Sequence, residues 1–289
     1  MIDRRLFLAG LAGLLSACTG SGEPPRIRIA AGEDGGFYLA FARLLAQQLP
    51  GGTAVSTQGS ADNLDRLRTG QAEVALSLAD TAQACGFPLR ALGRVYENYM
   101  QLVVRADSPL WSVGELSGRA VSLGATGSGA ALFGERLLRA AGVTPDARHL
   151  PIATAIADLG EGRLDALLWS GGVPTPALAE LDARIGIRLL PLEVGRAYGA
   201  VYEPVQVPEG AYRQVSGIRT VGVANLLVCV PELPDETASA VAGTLVRQAA
   251  ALVPQQAVGT QFLDARSLIT TAGIPLHPGA ADAYRRLHG

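Results

Sequence analysis

The glycine-rich segment 124–129, GATGSG, has the residue types and spacing that most clearly suit ligand binding. The apolar run 120–123 before it is typical of a buried strand, and segment 130–141 after it has the apolar spacing of a helix. A helix that begins there offers unpaired N–H groups and the positive end of its dipole. The glycines admit a ligand to the backbone, and Ser128 adds a hydroxyl. The segment predicts an anion site, and the alternative is a tight turn that binds nothing.

Several catalytic and cofactor motifs are missing from this chain. GATGSGA lacks the lysine of a phosphate-binding P-loop, the flanking glycines of GxSxG and the spacing of GxGxxG. All 24 Lys+Arg residues are arginines, which excludes chemistry on a lysine Schiff base. The 3 histidines are far apart, and neither HxxxH nor CxxC occurs, so we expect no metal and no cofactor.

Composition indicates an ordinary globular protein. A length of 289 residues favours two domains, and a hydrophobic content of 48% is ample for their cores. The net charge of −2, without a basic block, and the aromatic content of 5% make nucleic acid an unsuitable partner.

The amino terminus has the pattern of an export signal. Arg4 and Arg5 precede an apolar run, 6–15, that is short for a membrane span, and Leu-Ser-Ala-Cys18 follows. This run resembles a bacterial lipobox, which implies lipidation of Cys18, and the paired arginines resemble a twin-arginine signal. The alternative is a plain secretory peptide cut elsewhere. We therefore expect a signal peptide at 1–17, a tether at 18–25, and a protein exported and lipid-anchored on the outer face of the cytoplasmic membrane.

The two remaining cysteines, Cys85 and Cys229, lie in different settings. Export permits a disulfide between them. The apolar run around Cys229 instead favours a buried free thiol, and sequence leaves the pairing open.

Two halves of the chain repeat one pattern. Gly70-x-x-Glu73 follows Gly32 by 38 residues, and Gly162-x-x-Asp165 follows Gly124 by 38 residues. Both halves are thus predicted to form a strand–loop–helix–strand–helix–strand unit. Strands are predicted at 26–31, 53–58, 74–78, 89–95, 100–104, 120–123 and 165–169. Helices are predicted at 37–49, 63–69, 130–141, 153–159, 234–252 and 262–269, with a final one ending at His288 and a long apolar segment, 218–230, crossing back to the first domain.

Two such units place glycine-rich helix starts at the carboxyl ends of strands, where ligands of open α/β sheets bind. If the units face each other, two helix N-termini point into one cleft and clamp a small anion without any catalytic group. We expect domain 1 at 26–108 and 225–289 and domain 2 at 109–224, with crossings near 105–113 and 217–224.

Several short motifs in order resemble the TAXI-type solute receptors of TRAP transporters, from about Arg26 to the end. They are AGEDGGFY (31–38), GSADNL (59–64), Gly70 with 73–80, SLGATGSG (122–129), 165–174 and LHPGA (276–280). The resemblance implies an α/β, two-domain type II periplasmic-binding-protein fold, each domain a sheet flanked by helices with the ligand cleft between them. It also implies capture of a small carboxylate, glutamate-like or another dicarboxylate, for TRAP-type membrane permease subunits. One departure is Glu33 and Asp34, which could favour a ligand ammonium group or point outward.

The predicted ligand-binding residues flank the two glycine loops and the strand ends. They are Glu33, Gly36, Phe37, Tyr38, Asn63, Ser77, Asp80, Thr126, Gly127, Ser128, Gly129 and Gly172. Trp169 is predicted to be core rather than a lid. We expect a monomeric receptor, not an enzyme. The alternatives are a binding subunit that signals to a membrane sensor and a secreted serine hydrolase with a site assembled only in three dimensions.

Overall fold

The computed structural model describes residues 26–193, 201–213, 215, 217–254 and 263–288. The predicted signal peptide, tether and lipidated Cys18 lie outside these residues. The strands are β1 (Ile27–Ala30), β2 (Gly52–Val55), β3 (Val74–Leu78), β4 (Arg90–Arg105), β5 (Ala120–Ser122), β6 (Asp146–Arg148), β7 (Ala166–Gly171), β8 (Ile187–Leu190), β9 (Tyr202–Gln206) and β10 (Arg219–Cys229). The helices are α1 (Phe37–Gln47), α2 (Ser60–Arg68), α3 (Ala79–Ala84), α4 (Gly129–Ala141), α5 (Ile152–Gly160), α6 (Pro176–Ile185), α7 (Asp235–Arg247), α8 (Ala265–Leu268) and α9 (Pro278–His288).

The predicted repeat of one α/β unit is confirmed. The first three strands pair in parallel in the order β2-β1-β3, and β5, β6 and β7 pair in parallel in the matching order β6-β5-β7. The recurring acid has one role in both units. A carboxylate oxygen of Glu73 accepts the N–H of Arg28 at 2.7 Å, and one of Asp165 accepts the N–H of Ala120 at 2.9 Å. Each acid thus ties the start of its unit's third strand to the first strand.

The prediction of separate strands at 89–95 and 100–104 is wrong, because β4 is one strand of 16 residues. The polar stretch from Tyr96 to Tyr99 suggested a break. Its backbone instead continues the antiparallel ladder with β10, where Tyr96 faces Asn225 and Tyr99 faces Gly222. Buried polar side chains are therefore carried into the middle of the sheet.

Helix boundaries differ from the predictions by three residues or more in three helices. Helix α2 begins at Ser60 rather than at 63, because Gly59 with its φ of 115° turns the chain into the helix earlier. Helix α7 ends at Arg247, and a short 3-10 turn, Ala249–Leu252, completes the segment predicted as one helix. A helix was predicted at 262–269, and the described residues of this segment contain only the short helix α8. The side chain of Asp264 caps the N-terminus of α8.

The two long strands β4 and β10 join the two repeated units. The N-terminal part of β4 pairs with β10, which also pairs with β3, whereas β4 residues 99–105 pair with β7 and β8. Apolar side chains fill both faces of this sheet. Cys229 is buried and, like Cys85, a free thiol. The thiol of Cys229 has its pKa raised to about 12 by burial. Among the described helices, none is both long and apolar enough to span a bilayer.

Candidate functional site

The loop before α2 in the first unit contacts the glycine-rich loop before α4 in the second unit. The N–H of Ala61, in the first turn of α2, donates to the carbonyl of Gly127 in the loop before α4 at 2.9 Å. A Cβ on Gly59 would lie 3.3 Å from Ser128, and a Cβ on Gly129 would collide with the side chain of Leu78. Glycine at 129 lets the start of α4 lie against the side chains of Leu78 and Ser60. The start of α2 therefore lies beside the start of α4, although the sequence repeat pairs α4 with α1.

A cavity of about 50 Å³, here named the inner cavity, lies between these helix starts. Six of the twelve predicted ligand-binding residues line it: Glu33, Gly36, Phe37, Tyr38, Ser128 and Gly129. Its other polar side chains are Gln58, Ser60, Asn98 and Ser170. No arginine or histidine is among the described residues that line it. Backbone N–H groups and neutral side chains thus supply its donors.

The α4 end of the inner cavity is organised by Ser128. Its side-chain oxygen accepts the N–H of Ala131 at 3.1 Å, which caps the helix and leaves the hydroxyl proton free to be donated. The N–H of Ser128 itself donates to the carbonyl of Ala125 at 3.0 Å. The helix N–H groups available to a ligand are therefore those of Gly129 and Ala130, which have no partner inside the helix.

Asn98 of β4 provides a buried polar group in the wall of the inner cavity. Its side chain is 1% exposed, and its Nδ2 donates to Ser170 at 3.0 Å. Its Oδ1 has no hydrogen-bond partner within the described part of the chain. An unpaired buried carbonyl costs about 1–3 kcal/mol, and a ligand that donates to it recovers that cost.

Tyr38 and Ser60 form a second polar pair at the cavity. Their hydroxyl oxygens are 3.3 Å apart, and Ser60 also accepts the N–H of Leu78 at 3.1 Å. Burial raises the pKa of Tyr38 above its usual range, so the phenol stays protonated and can donate. The ring of Tyr38 lies against Tyr96 with centroids 6.1 Å apart. Tyr38 thus contributes both to the core and to the wall of the cavity.

Glu33 is bound across the gap between the units. Its Oε2 accepts the N–H of Ile152, the first residue of α5, at 2.9 Å. Burial raises the pKa of Glu33, and this hydrogen bond opposes the rise. The neighbouring Asp34 points outward to Arg43 at 3.0 Å. One acid of the pair therefore joins the two units, and the other lies on the surface.

Five other predicted ligand residues lie outside the inner cavity. Asn63 is fully buried, with Nδ2 bonded to the carbonyls of Ala31 and Leu76 and Oδ1 bonded to Thr57. Ser77 donates to the carbonyl of Leu78. Thr126 is exposed, and Gly127 contributes the carbonyl that accepts from Ala61.

Asp80, the fifth of these, is buried and links the two units. Its Oδ2 accepts the hydroxyl of Tyr202 at 2.7 Å and lies 3.5 Å from Arg136 of α4. Burial raises the pKa of Asp80, and the hydrogen bond from Tyr202 and the charge of Arg136 oppose the rise. In this conformation its carboxylate is already occupied.

The twelfth predicted residue, Gly172, lines a neighbouring space of about 250 Å³, here named the outer chamber. Gly36, Phe37 and Trp169 line both the chamber and the inner cavity. Trp169, predicted to be core, is half-buried, and its indole N–H donates to Thr175 at 3.0 Å. It packs on the core with one part and lines the two spaces with another.

Sequence reasoning missed Ser60, Asn98 and Ser170. Ser60 lies within the motif GSADNL without being singled out, and Asn98 fell in the supposed break of β4. The polar stretch 96–99 between two apolar runs is the signal that could have identified Asn98, because polar side chains inside a strand that is buried on both faces need partners. No group of His, Cys, Asp and Glu in the described ranges is arranged to hold a metal.

Comparisons with known proteins agree with this architecture. A family model described as NMT1-like matches residues 29–286. An amino acid ABC transporter substrate-binding protein, AbpA of Streptococcus pneumoniae with L-arginine, superimposes with a TM-score of 0.52 at 16% identity over 78% of this chain and 91% of that one. MatC of Rhodopseudomonas palustris with malate gives 0.53 at 16% identity over 78% and 83%, and a periplasmic transporter gives 0.54 at 13% over 91% and 92%. These neighbours confirm the two-domain periplasmic-binding-protein fold.

Proposed function

Since the chain belongs to the NMT1-like family, we propose that it is an extracytoplasmic solute-binding receptor that captures a small carboxylate between its two units. Its partner in this proposal is a TRAP-type membrane permease, as the resemblance to TAXI receptors implies. A glutamate-like or other dicarboxylate ligand stays a prediction.

One observation supports the proposal: the N-termini of α2 and α4 line a cavity whose wall holds a buried amide oxygen with no hydrogen-bond partner among the described residues. An anion at a helix N-terminus meets unpaired donors and a favourable dipole. We assign the carboxylate to the N–H groups of Gly129 and Ala130 and to the hydroxyl of Ser128. A donor elsewhere on the ligand, such as a hydroxyl or amine, would pair with Asn98.

Placement at the cell envelope is part of the same proposal. Lipidation at Cys18 would hold the mature chain on the outer face of the cytoplasmic membrane, beside its permease, as a monomer. A subunit that signals to a membrane sensor would use the same site, and co-purification with permease subunits or with a sensor separates the two. The described residues that line the inner cavity include serines but no histidine to activate them, which disfavours the hydrolase alternative.

Binding measurements on Ser128 test the proposed site. A native mass spectrum of the gently purified protein identifies the carboxylate, and calorimetry then measures its affinity. Ser128→Ala removes a hydrogen bond to a charged group, which is worth about 1.5–3 kcal/mol, so affinity should fall about tenfold or more. The matched control is Thr126→Ala, because Thr126 is exposed in the same loop and does not line the cavity. Full affinity in folded Ser128→Ala would place the site elsewhere.

A further inference from the structure

The buried carboxylate of Asp80 is held by two residues that lie outside the first unit. One of its oxygens, Oδ1, accepts the N–H of Thr81 at 2.7 Å and is therefore bound within α3. The other, Oδ2, accepts the hydroxyl of Tyr202 in β9 at 2.7 Å and lies 3.5 Å from Nη1 of Arg136 in α4. Oδ2 thus joins the first unit to α4 and β9.

The two residues that bind this oxygen also bind each other. Nη1 of Arg136 donates to the hydroxyl oxygen of Tyr202 at 2.8 Å. Burial raises the pKa of Tyr202 above its usual range, so its hydroxyl keeps the proton that it donates to Asp80. The ring of Phe133, also on α4, packs against the ring of Tyr202 with centroids 5.4 Å apart. These contacts fix the two donors in position to bind Asp80.

Helix α4 carries this contact and the start of the ligand site on one face. Positions 129 and 136 are seven residues apart in the helix, or about two turns, and so lie on the same side. Gly129 packs against Leu78, and Arg136 reaches Asp80 two residues further along the first unit. This face of α4 therefore lies along the junction of β3 and α3.

The contact with Asp80 is separate from the proposed ligand site. Asp80, Arg136 and Tyr202 are not among the described residues that line the inner cavity. They hold the two units together without touching a ligand in that cavity, so they can change affinity and leave selectivity to the cavity.

We propose that Asp80, Arg136 and Tyr202 form an inter-unit latch that stabilises the closed conformation from outside the ligand site. The latch forms when α4 meets the junction of β3 and α3. Its strength sets the balance between closed and open forms before any ligand binds, whichever ligand the cavity takes.

The two charges of the latch differ in exposure, and this difference predicts how variants behave. The side chain of Asp80 is 0% exposed, whereas that of Arg136 is 33% exposed. Arg136→Gln leaves the buried carboxylate without its cation, and an uncompensated charge destabilises the conformation that buries it. Opening returns Asp80 to water, so this variant should favour the open form. Asp80→Asn removes the charge and keeps an acceptor for Tyr202, so adding it to Arg136→Gln should restore closure.

Two backbone amides report on closure without any ligand. The N–H of Ala61 donates to the carbonyl of Gly127 at 2.9 Å, and the N–H of Ile152 donates to Glu33 at 2.9 Å. Both bonds cross between the units. Both amides lie in the first turn of a helix, where an N–H has no acceptor inside the helix. Their hydrogen exchange therefore measures separation of the units.

Hydrogen exchange of the ligand-free protein, followed by NMR, tests the latch. In Arg136→Gln the amides of Ala61 and Ile152 should exchange at least about threefold faster than in the parent, because the closed form now buries an unpaired charge. In the double variant Asp80→Asn/Arg136→Gln both amides should return to the parent rates. Two independent losses of packing would instead add.

Amides bonded within one unit are the internal controls. The N–H of Glu73 donates to the carbonyl of Arg28 at 3.1 Å, and the N–H of Asp165 donates to that of Ala120 at 2.8 Å. Their exchange should not change in either variant. The matched control variant is Arg139→Gln, because Arg139 is exposed on the same helix and should leave all four amides at the parent rates.

Three results would overturn the latch. Unchanged exchange at Ala61 and Ile152 in Arg136→Gln would show that the cation does not hold the units together. Equal acceleration at all four amides would show a loss of stability of the fold instead of separation of the units. Fast exchange that persists at Ala61 and Ile152 in the double variant would show that Arg136 does not compensate the charge of Asp80. Because the test uses no ligand, each of these results leaves the proposed function in place.

Discussion

At the scale of single residues, Glu97 is a buried carboxylate whose ionisation affects stability. Its side chain is 6% exposed in β4, and Oε2 lies 2.5 Å from Arg94. Burial raises the pKa of Glu97 from 4.5 to about 6, although Arg94 opposes the rise. The folded protein thus holds this proton more tightly than the unfolded chain does.

The stabilising contribution of Glu97 should be present below pH 4.5 and lost as the pH rises through about 6. A difference of roughly 1.5 pKa units corresponds to about 2 kcal/mol. The free energy of unfolding of Glu97→Gln, relative to the parent, should therefore increase by about that amount between pH 4.5 and pH 7. Urea unfolding at both pH values measures it, and Glu203→Gln, an exposed acid near the same arginine, is the control. Parallel pH profiles for Glu97→Gln and the parent would contradict this assignment.

Residue types alone predicted that a glycine-rich loop with Ser128 joins a strand to a helix. They did not predict the structural roles of Asn63 and Asp80. The glycine spacing in this loop reflects the local geometry of a tight turn into a helix, and such a local pattern can be recognised in the sequence alone. Asn63 has a partner 32 residues away and Asp80 has one 122 residues away, and such pairing depends on the tertiary packing of the elements. For this reason, Asn63 and Asp80, which hold elements of the fold together, were predicted from the sequence to bind ligand.

At the scale of elements, α5 takes its N-terminal cap from the other unit. The residue before the helix is Pro151, whose side chain makes no cap hydrogen bond, and the first turn contains no acid. Glu33 supplies the missing acceptor across the gap at 2.9 Å. A carboxylate there also meets the positive end of the helix dipole, so this bond favours the conformation in which the units touch.

Removing this cap should shift the protein toward an open conformation. Glu33→Ala is expected to weaken binding of the identified ligand about fivefold, which corresponds to roughly 1 kcal/mol for a partly solvated hydrogen bond. Glu33→Gln keeps an acceptor and should lose less. Calorimetry makes the comparison, with Asp34→Ala as the neighbouring surface control. Equal losses in the Glu33 and Asp34 variants would show that the cap does not contribute to binding.

Elements with strong local patterns were predicted well, and β3 was predicted at its observed bounds, Val74–Leu78. The two longest strands were predicted less well. Where they pair with each other, β4 has a polar stretch and β10 contains a glycine. Pairing between distant strands overrides local polarity when the backbone has a partner along its whole length.

At the scale of the whole molecule, closure of the two units is the central event of the proposed function. We propose that β4 and β10 act as the hinge, since they pair with each other while β10 pairs with β3 of the first unit and β4 pairs with β7 of the second. The contact of Gly129 with Leu78 and the bonds made by Glu33 and Asp80 are the parts that must separate when the units open. Opening admits the ligand, and closing brings the two helix N-termini onto it.

Small-angle X-ray scattering with and without the identified carboxylate tests closure most directly. The parent protein should show a smaller radius of gyration at saturating ligand. Gly129→Val should stay extended, because its side chain would collide with Leu78, whereas Gly86→Val, with no neighbour within 4 Å, should compact like the parent. Identical scattering curves for the free and saturated parent, with binding shown independently by calorimetry, would contradict a ligand held between closing domains.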